Sequence, residues 1–200
     1  MTKNNSADHS TPPAYHPAMT LERWKPNVTV AAVIEDGGRY LLVEEHTAEG
    51  LRLNNPAGHL DPAESPQQAV VREALEETAR HFTPSHLLGV YLARFHRPAQ
   101  GEDVTYVRLA FAGRVGEVID GLQLDHGIVR TLWMTPAEIR AAAERHRSPL
   151  VMRCIDDHLA GVRYPLEAVT THASVWAPEV RPAVALGDLT PGTGQLPAGR

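Results

Sequence analysis

The chain has 200 residues, enough for one domain with a sizeable core plus tails. A formal net charge of −5 and a pI of about 6.1 argue against salt-driven nucleic-acid binding, which needs a basic face, but leave room for a small phosphorylated ligand. The lone cysteine, Cys154, cannot pair within the chain; the opening MTKNNSADHSTPPAYHP lacks a secretory apolar segment and no run of about 18 apolar residues exists, so a cytoplasmic protein that does not span a membrane is expected.

In chain order, residues 1–23 are polar, carry Pro12, Pro13 and Pro17, and are expected to form a flexible tail in which His9 and His16 are solvated. NVTVAAVIE reads as a strand rich in β-branched residues, Asp36-Gly37-Gly38 as a turn, and RYLLVEE as the return strand. LRLNNPAG then leads into GHLDPAESPQQAVVREALEETAR at 58–80. LLGVYLARFH and VTYVRLAFAGRV are two further strands joined by the turn-rich PAQGED, and IVRTLWM is another. Thr135-Pro136-Ala137-Glu138 matches a capping box with proline first, predicting a helix through EIRAAAERH. Ser148-Pro149 starts a second helix that ends near Gly161 and carries Cys154 as a core thiol. Residues 173–200, rich in Pro, Gly and Ala, are expected to form a second flexible tail, which leaves a folded domain over 24–172. Strands enclose and follow a first helix, and helices return at the end, which implies a mixed α/β layered fold.

The stretch at 58–80 holds the most information. Ser65-Pro66-Gln67-Gln68 is a helix start with serine cap, proline and glutamine at the third position. At 100° per residue Val71, Ala74, Leu75 and Thr78 share a face suited to the core, and Glu73, Glu76 and Glu77 fall opposite. Such like charges repel by roughly 0.2–0.5 kcal/mol per pair on an isolated helix. A solvated acidic face, with Arg72 and Arg80 each pairing to Glu76 at four-residue spacing, is the plain structural explanation.

The spacing around it goes further. Gly58, five residues, Glu64, seven residues, Arg72-Glu73, two residues, Glu76-Glu77: at these six identities the sequence resembles the signature of the Nudix hydrolases. With each residue type near 6–7% abundance, a chance match over this length is on the order of 10⁻⁵. The resemblance implies an α/β (α+β) fold, a Nudix-like α/β/α sandwich with a mixed sheet and a loop–helix carrying the signature. It also implies Mg²⁺ (or Mn²⁺), the hard cations that carboxylate oxygens suit, holding a substrate diphosphate for attack by water on phosphorus. Carried over residue by residue, Glu76 and Glu77 are expected metal ligands, Glu73 a ligand or the general base, and Gly58 a backbone-carbonyl ligand. Glu64 and Arg72 are expected to pair and hold the loop against the helix, with Arg72 beside the catalytic group. A later loop carboxylate, Glu102, Asp103, Glu117 or Asp125, is an alternative base. One departure stands out: where the family has glycine and then an aliphatic residue, this chain has Ala79 and Arg80. The helix is therefore expected to run on by some residues, with Phe82 taking over the aliphatic packing role.

WKPNVTVAAVIEDGGRYLLVEE, NNPAGHLD, SPLV and RYPLE resemble the phosphatase NudJ branch over about residues 24–170. That resemblance implies release of orthophosphate from hydroxymethylpyrimidine diphosphate, thiamine diphosphate and nucleoside tri- and diphosphates. In the strand reading Arg94 and His96 share one face and Tyr106 and Arg108 another; if these faces meet near the metal helix, they bind phosphate and a ring. Arg163 and Tyr164 are a further candidate pair, and Trp133 reads as core. The expected partner is a small diphosphate, with no nucleic acid or membrane, for a monomer or homodimer. Two rivals remain: a pyrophosphatase cutting nucleoside triphosphates or nucleotide sugars between inner phosphates, and a non-catalytic Nudix-like metabolite-binding regulator.

Overall fold

A computed structural model describes residues 24–97 and 101–177; the expected tail at 1–23, with His9 and His16, and residues 178–200 of the one expected at 173–200 lie outside the described residues. β1 (Asn27–Asp36) is buried on both faces, and so it reads as a continuous apolar run. Val30, Ala32 and Ile34 enter one core, while Ala31 and Val33 enter the other. Gly37 and Gly38, both at positive φ, turn the chain into β2 (Arg39–Thr47). β3 (Gly50–Asn54) and β4 (Ala57–His59) follow from LRLNNPAG, where the sequence alone predicted no strand. α1 (Pro66–Thr78) is followed by β5 (Phe82–Arg97), β6 (Glu102–Val115), β7 (Ile128–Met134), α2 (Pro136–Ala141) and α3 (Leu150–Leu159).

The strands make one mixed sheet of order β3-β2-β1-β6-β5, with β4 also on β1 and β7 on β2. β1 and β6 are parallel, and the other pairs are antiparallel. β1 pairs with β2 at Glu35–Tyr40 and Asp36–Arg39, then parts from it and takes β4 at Thr29–Ala31 instead. The sheet therefore splits between β4 and β2. α1 covers one face through Ala69, Val70 and Ala74, packed on Val30, Ile34, Leu41 and Phe111. α2 and α3 cover the other through Ile139, Val151, Cys154 and Ile155, packed on Val33, Tyr40, Leu42 and Ala112. This is the expected α/β/α sandwich.

Both capping boxes form. Ser65 Oγ accepts from the Gln68 N–H at 3.1 Å, and Gln68 Oε1 accepts from the Ser65 N–H at 2.8 Å. Thr135 and Glu138 do the same for α2. Two helix ends differ from expectation. α1 stops at Thr78, because Ala79 itself adopts the left-handed conformation (φ 52°, ψ 35°) that glycine usually supplies. Phe82 is buried in the α1-side core, in the packing role expected of it. α2 ends at Ala141 and the predicted run continues as a 3₁₀ turn over Ala143–Arg145, after which the chain is drawn to the sheet: the Arg147 N–H donates to the Leu53 carbonyl at 2.8 Å, and His146 bridges Leu53. Residues Ala173–Trp176 form a 3₁₀ turn, and the Trp176 indole N–H donates to Gln68 Oε1 at 3.2 Å.

Candidate active site

α1 is rotated relative to the face read from its sequence. Val70, Glu73, Ala74, Glu77 and Thr78 are buried, Val71 and Leu75 are only partly covered, and Glu76 alone of the three glutamates is exposed. Glu73 and Glu77, 9% and 8% exposed, flank the apolar face and point towards the sheet. The reason is the split between β4 and β2: it leaves polar backbone beneath α1 where a closed sheet would present side chains. Glu77 Oε2 accepts from the Ala57 N–H at 2.8 Å. Glu73 packs against Gly58 so closely that a Cβ on Gly58 would overlap its carboxylate.

Arg72 organises the loop. Its Nε and Nη2 donate to the two Glu64 oxygens at 3.1 and 2.7 Å, a forked pair, and Nη2 also donates to the His59 carbonyl at 2.9 Å. Nη1 donates to Glu73 Oε1 at 2.7 Å and Glu76 Oε2 at 3.2 Å. The Arg72 fork holds the Glu64 carboxyl below its usual range. Burial pushes Glu73 up despite Arg72. Glu77 is pushed up to about 8, first by burial and then by the charges of Glu73, Glu45 and Asp125, although the Ala57 N–H opposes this. Arg80 does not pair with Glu76; its Nη1 donates to the Gly116 carbonyl at 2.8 Å.

A cavity of about 250 Å³ opens beside this cluster on the α3 side of the sheet, with Ala57 and Gly58 in its wall. Tyr106 and Arg108 line it, as do Glu45, Asn54 and Phe95, which sequence reasoning did not single out. Glu45 lies near the end of β2, where an acidic pair reads as solvated. Arg94 and His96 are not in the cavity. Tyr106 pairs across the sheet with Ala93 and Arg108 with Tyr91, so their face carries Tyr91, Ala93 and Phe95; Arg94 and His96, which alternate with these, project from the opposite face. Arg94 there donates to Asp103 through Nε and Nη2 at 2.7 and 2.8 Å. Arg163 donates to His86 Nε2 at 3.1 Å, and the Tyr164 backbone bridges Leu87, so RYPLE straps β5 and contributes nothing to the cavity wall.

Of the alternative loop carboxylates, Asp103 is tied to Arg94, Glu117 is exposed, and the Glu102 side chain lies outside the described residues. Asp125 is brought to the end of α1 by its N–H, which donates to the Glu76 carbonyl at 2.9 Å.

Among the described residues no group of three or more His, Cys, Asp or Glu side chains is arranged to hold a metal ion. Arg72 supplies the positive charge that Glu73 and Glu76 share. The donor set nevertheless fits a hard divalent cation. Glu73 and Glu77 offer buried carboxylate oxygens whose charges oppose one another, Glu76 stands one turn away, and Gly58 leaves backbone bare beside them.

The NUDIX domain family matches residues 24–154. Proteins named phosphatase NudJ, from Escherichia coli (strain K12) and from Shigella flexneri among others, are 36% identical over 147 residues, covering 73% of this chain and 92% of theirs. A solved NUDIX hydrolase from Nitrosomonas europaea is 49% identical, with a TM-score of 0.68 over 74% of this chain and 98% of its own. A second from the same organism, 18% identical with a TM-score of 0.56, shares the fold over 71% of this chain and 77% of its own. The hydrolases of this family use divalent metal ions on small phosphorylated substrates. The signature residues assembled around Arg72, the sandwich that carries them and these matches agree, and the chain belongs to the Nudix hydrolase family.

Proposed function

We propose that this hydrolase removes the terminal phosphate from small molecules carrying a diphosphate, with Mg²⁺ as the working ion and Mn²⁺ able to replace it. Hydroxymethylpyrimidine diphosphate, thiamine diphosphate and nucleoside tri- and diphosphates are the proposed substrates. The observation that carries the reading is the junction of two features. The buried carboxylates of α1 reach, through the split in the sheet, the same Ala57–Gly58 backbone that walls the ring-sized cavity. A diphosphate on the carboxylate side would thus leave its organic group in the cavity. The similarity to proteins named phosphatase NudJ supports release of orthophosphate.

Glu77 and Glu76, with the Gly58 carbonyl, are the proposed cation ligands, and Glu73 is a further ligand or the general base. The ion, when bound, neutralises phosphate charge and makes a bound water more acidic. Arg72 holds Glu64, and through it the loop, in place. Glu73, raised by burial, is suited to take the proton of the attacking water. Water adds to the terminal phosphorus, the bond to the bridging oxygen breaks, and orthophosphate leaves.

A panel of diphosphates with Mg²⁺, scored for orthophosphate, pyrophosphate and nucleoside monophosphate, tests this. Orthophosphate is expected, with hydroxymethylpyrimidine diphosphate among the better substrates; dominant pyrophosphate would instead place the cut between inner phosphates. In Glu77→Gln, turnover is expected to fall by about 10²-fold or more with the fold intact. Undiminished turnover would remove α1 from the chemistry, and no turnover by the unaltered protein would favour a binding module.

A further inference from the structure

Of the eight buried side-chain nitrogen and oxygen atoms that lack a hydrogen bond among the described residues, four belong to residues that line this cavity: Thr29 Oγ1, Glu45 Oε1, and Arg108 Nε and Nη1. Each such atom costs about 1–3 kcal/mol when left without a partner. Arg108 is 7% exposed; its Nη2 makes only a long bond to Asn54 Oδ1 at 3.5 Å, and its other side-chain partner is the Cys154 thiol. Glu45 approaches Arg147 at 3.8 Å without a hydrogen bond at Oε1. Glu45 and Arg108 feel one another's charge yet form no ion pair. The cavity wall thus carries two donor atoms of Arg108 and one acceptor atom of Glu45 with no hydrogen bond of their own, although Asn54 bonds the Glu45 carboxylate elsewhere.

A phosphate would satisfy Arg108 but would face the Glu45 carboxylate. A neutral group with an acceptor beside a donor satisfies both. The aromatic walls favour a flat one: Tyr106 meets Phe95 edge-on at 5.6 Å between centroids, and His59 lies 6.1 Å from Tyr106 on its other contact.

We propose that Glu45 and Arg108 are a specificity pair that reads the edge of the substrate's ring, selecting a heterocycle whose ring nitrogen accepts from Arg108 beside an exocyclic amine that donates to Glu45. A cytosine-type edge matches. A uracil-type edge reverses both signs, setting a carbonyl against Glu45 and an N–H against Arg108, and a site with buried polar groups rejects such a reversal strongly. This inference rests on the cavity being the pocket for the organic group of the substrate.

Calorimetric titration of the full chain in EDTA with cytidine and uridine tests it without metal or turnover. Cytidine is expected to bind at least about tenfold more tightly than uridine, the scale of one well-placed hydrogen bond. The 4-deamino analogue of cytidine is expected to lose about tenfold as well, and that comparison needs no altered protein. Glu45→Gln offers either a donor or an acceptor, so the cytidine-to-uridine ratio is expected to fall to about threefold or less, with uridine binding strengthened. Equal binding of the two nucleosides, a preference for uridine, no binding of either, or an unchanged ratio in Glu45→Gln would each overturn the inference. A protein that releases orthophosphate from cytidine and uridine diphosphates alike, with no nucleoside preference, keeps the proposed hydrolysis and loses this inference. A protein with the preference but no phosphate release does the reverse.

Discussion

Gly58 is glycine because the Glu73 carboxylate occupies the space a Cβ would need. The overlapping atoms are the far end of a flexible side chain, so Gly58→Ala is expected to move Glu73 and leave the fold standing. Displacing a reacting group by about 1 Å can cost on the order of 10²-fold in rate. Turnover with Mg²⁺ is therefore expected to fall by about that factor, while the thermal midpoint drops only a few degrees; steady-state kinetics beside thermal circular dichroism measures both. Equal loss of fold and rate would make Gly58 a folding residue alone. At this scale the sequence named the chemistry but not its surroundings. The resemblance at six signature positions implied that Arg72 pairs with Glu64, and the two side chains meet as a forked pair. Glu45 escaped notice because its importance comes from the split beside it, and a split between strands leaves no local mark in the chain.

The helix α1 shows what periodicity can and cannot supply. Its start was legible to the residue, since a capping box is local chemistry. Its buried face was not: a 3.6-residue period gives a stripe, but which polar neighbours join that stripe depends on what lies across from them. Opposite Glu73 and Glu77 lie bare backbone and an opening, so the two carboxylates turn inward and Val71 and Leu75 turn partly out. The helix end was misread for a related reason. Ala79 takes a left-handed conformation costing about 1–2 kcal/mol for a residue with a Cβ. Its contacts over-determine it: its N–H donates to the Leu75 carbonyl at 2.9 Å, and its carbonyl accepts from the Ile119 N–H at 2.8 Å. Glycine there would relieve the strain, lose a buried methyl worth about 0.8 kcal/mol and gain chain entropy in the unfolded state. Ala79→Gly is therefore expected to stay within about 1 kcal/mol of the parent. Ala79→Val, branched at Cβ and buried, is expected to lose about 2–3 kcal/mol. Urea unfolding of the pair separates the two, and a valine variant as stable as the glycine one would mean the helix end relaxes freely.

Across the whole molecule, one divergence organises the rest: β1 leaves β2 after two residue pairs and takes β4. The split lets α1 on one layer and the cavity on the other share backbone, and it sets which face of β5 and β6 matters. Alternation along VTYVRLAF put Tyr106 and Arg108 together correctly. The register that separates them from Arg94 and His96 runs unbroken from Gly89–Ala110 to Arg97–Glu102, so it is set by where β5 and β6 meet, which alternation within each strand cannot foresee. The same junction sets how stability answers to pH. Glu77 rises from 4.5 to about 8 on folding, so in metal-free protein the folded state holds a proton that the unfolded chain has lost. Its contribution is complete below about pH 4.5 and lost as pH climbs through about 8, with Glu73 shifted in the same direction. Glu64, shifted the other way, contributes above its unfolded pKa and loses that contribution only on acidification, so it is constant over pH 6–8.5. In EDTA the thermal midpoint is therefore expected to fall from pH 6 to 8.5, with a free-energy change on the order of a few kcal/mol. Mg²⁺ needs the deprotonated carboxylates, so its stabilisation, about 2.7 kcal/mol at a hundredfold excess over its dissociation constant, is expected to be full at pH 8.5 and diminished at pH 6. Glu77→Gln, neutral throughout, is expected to flatten the slope in EDTA and to remove most of the gain from Mg²⁺. A steep slope retained in that variant would assign the proton to Glu73 instead, and an undiminished Mg²⁺ effect would place the ion away from α1.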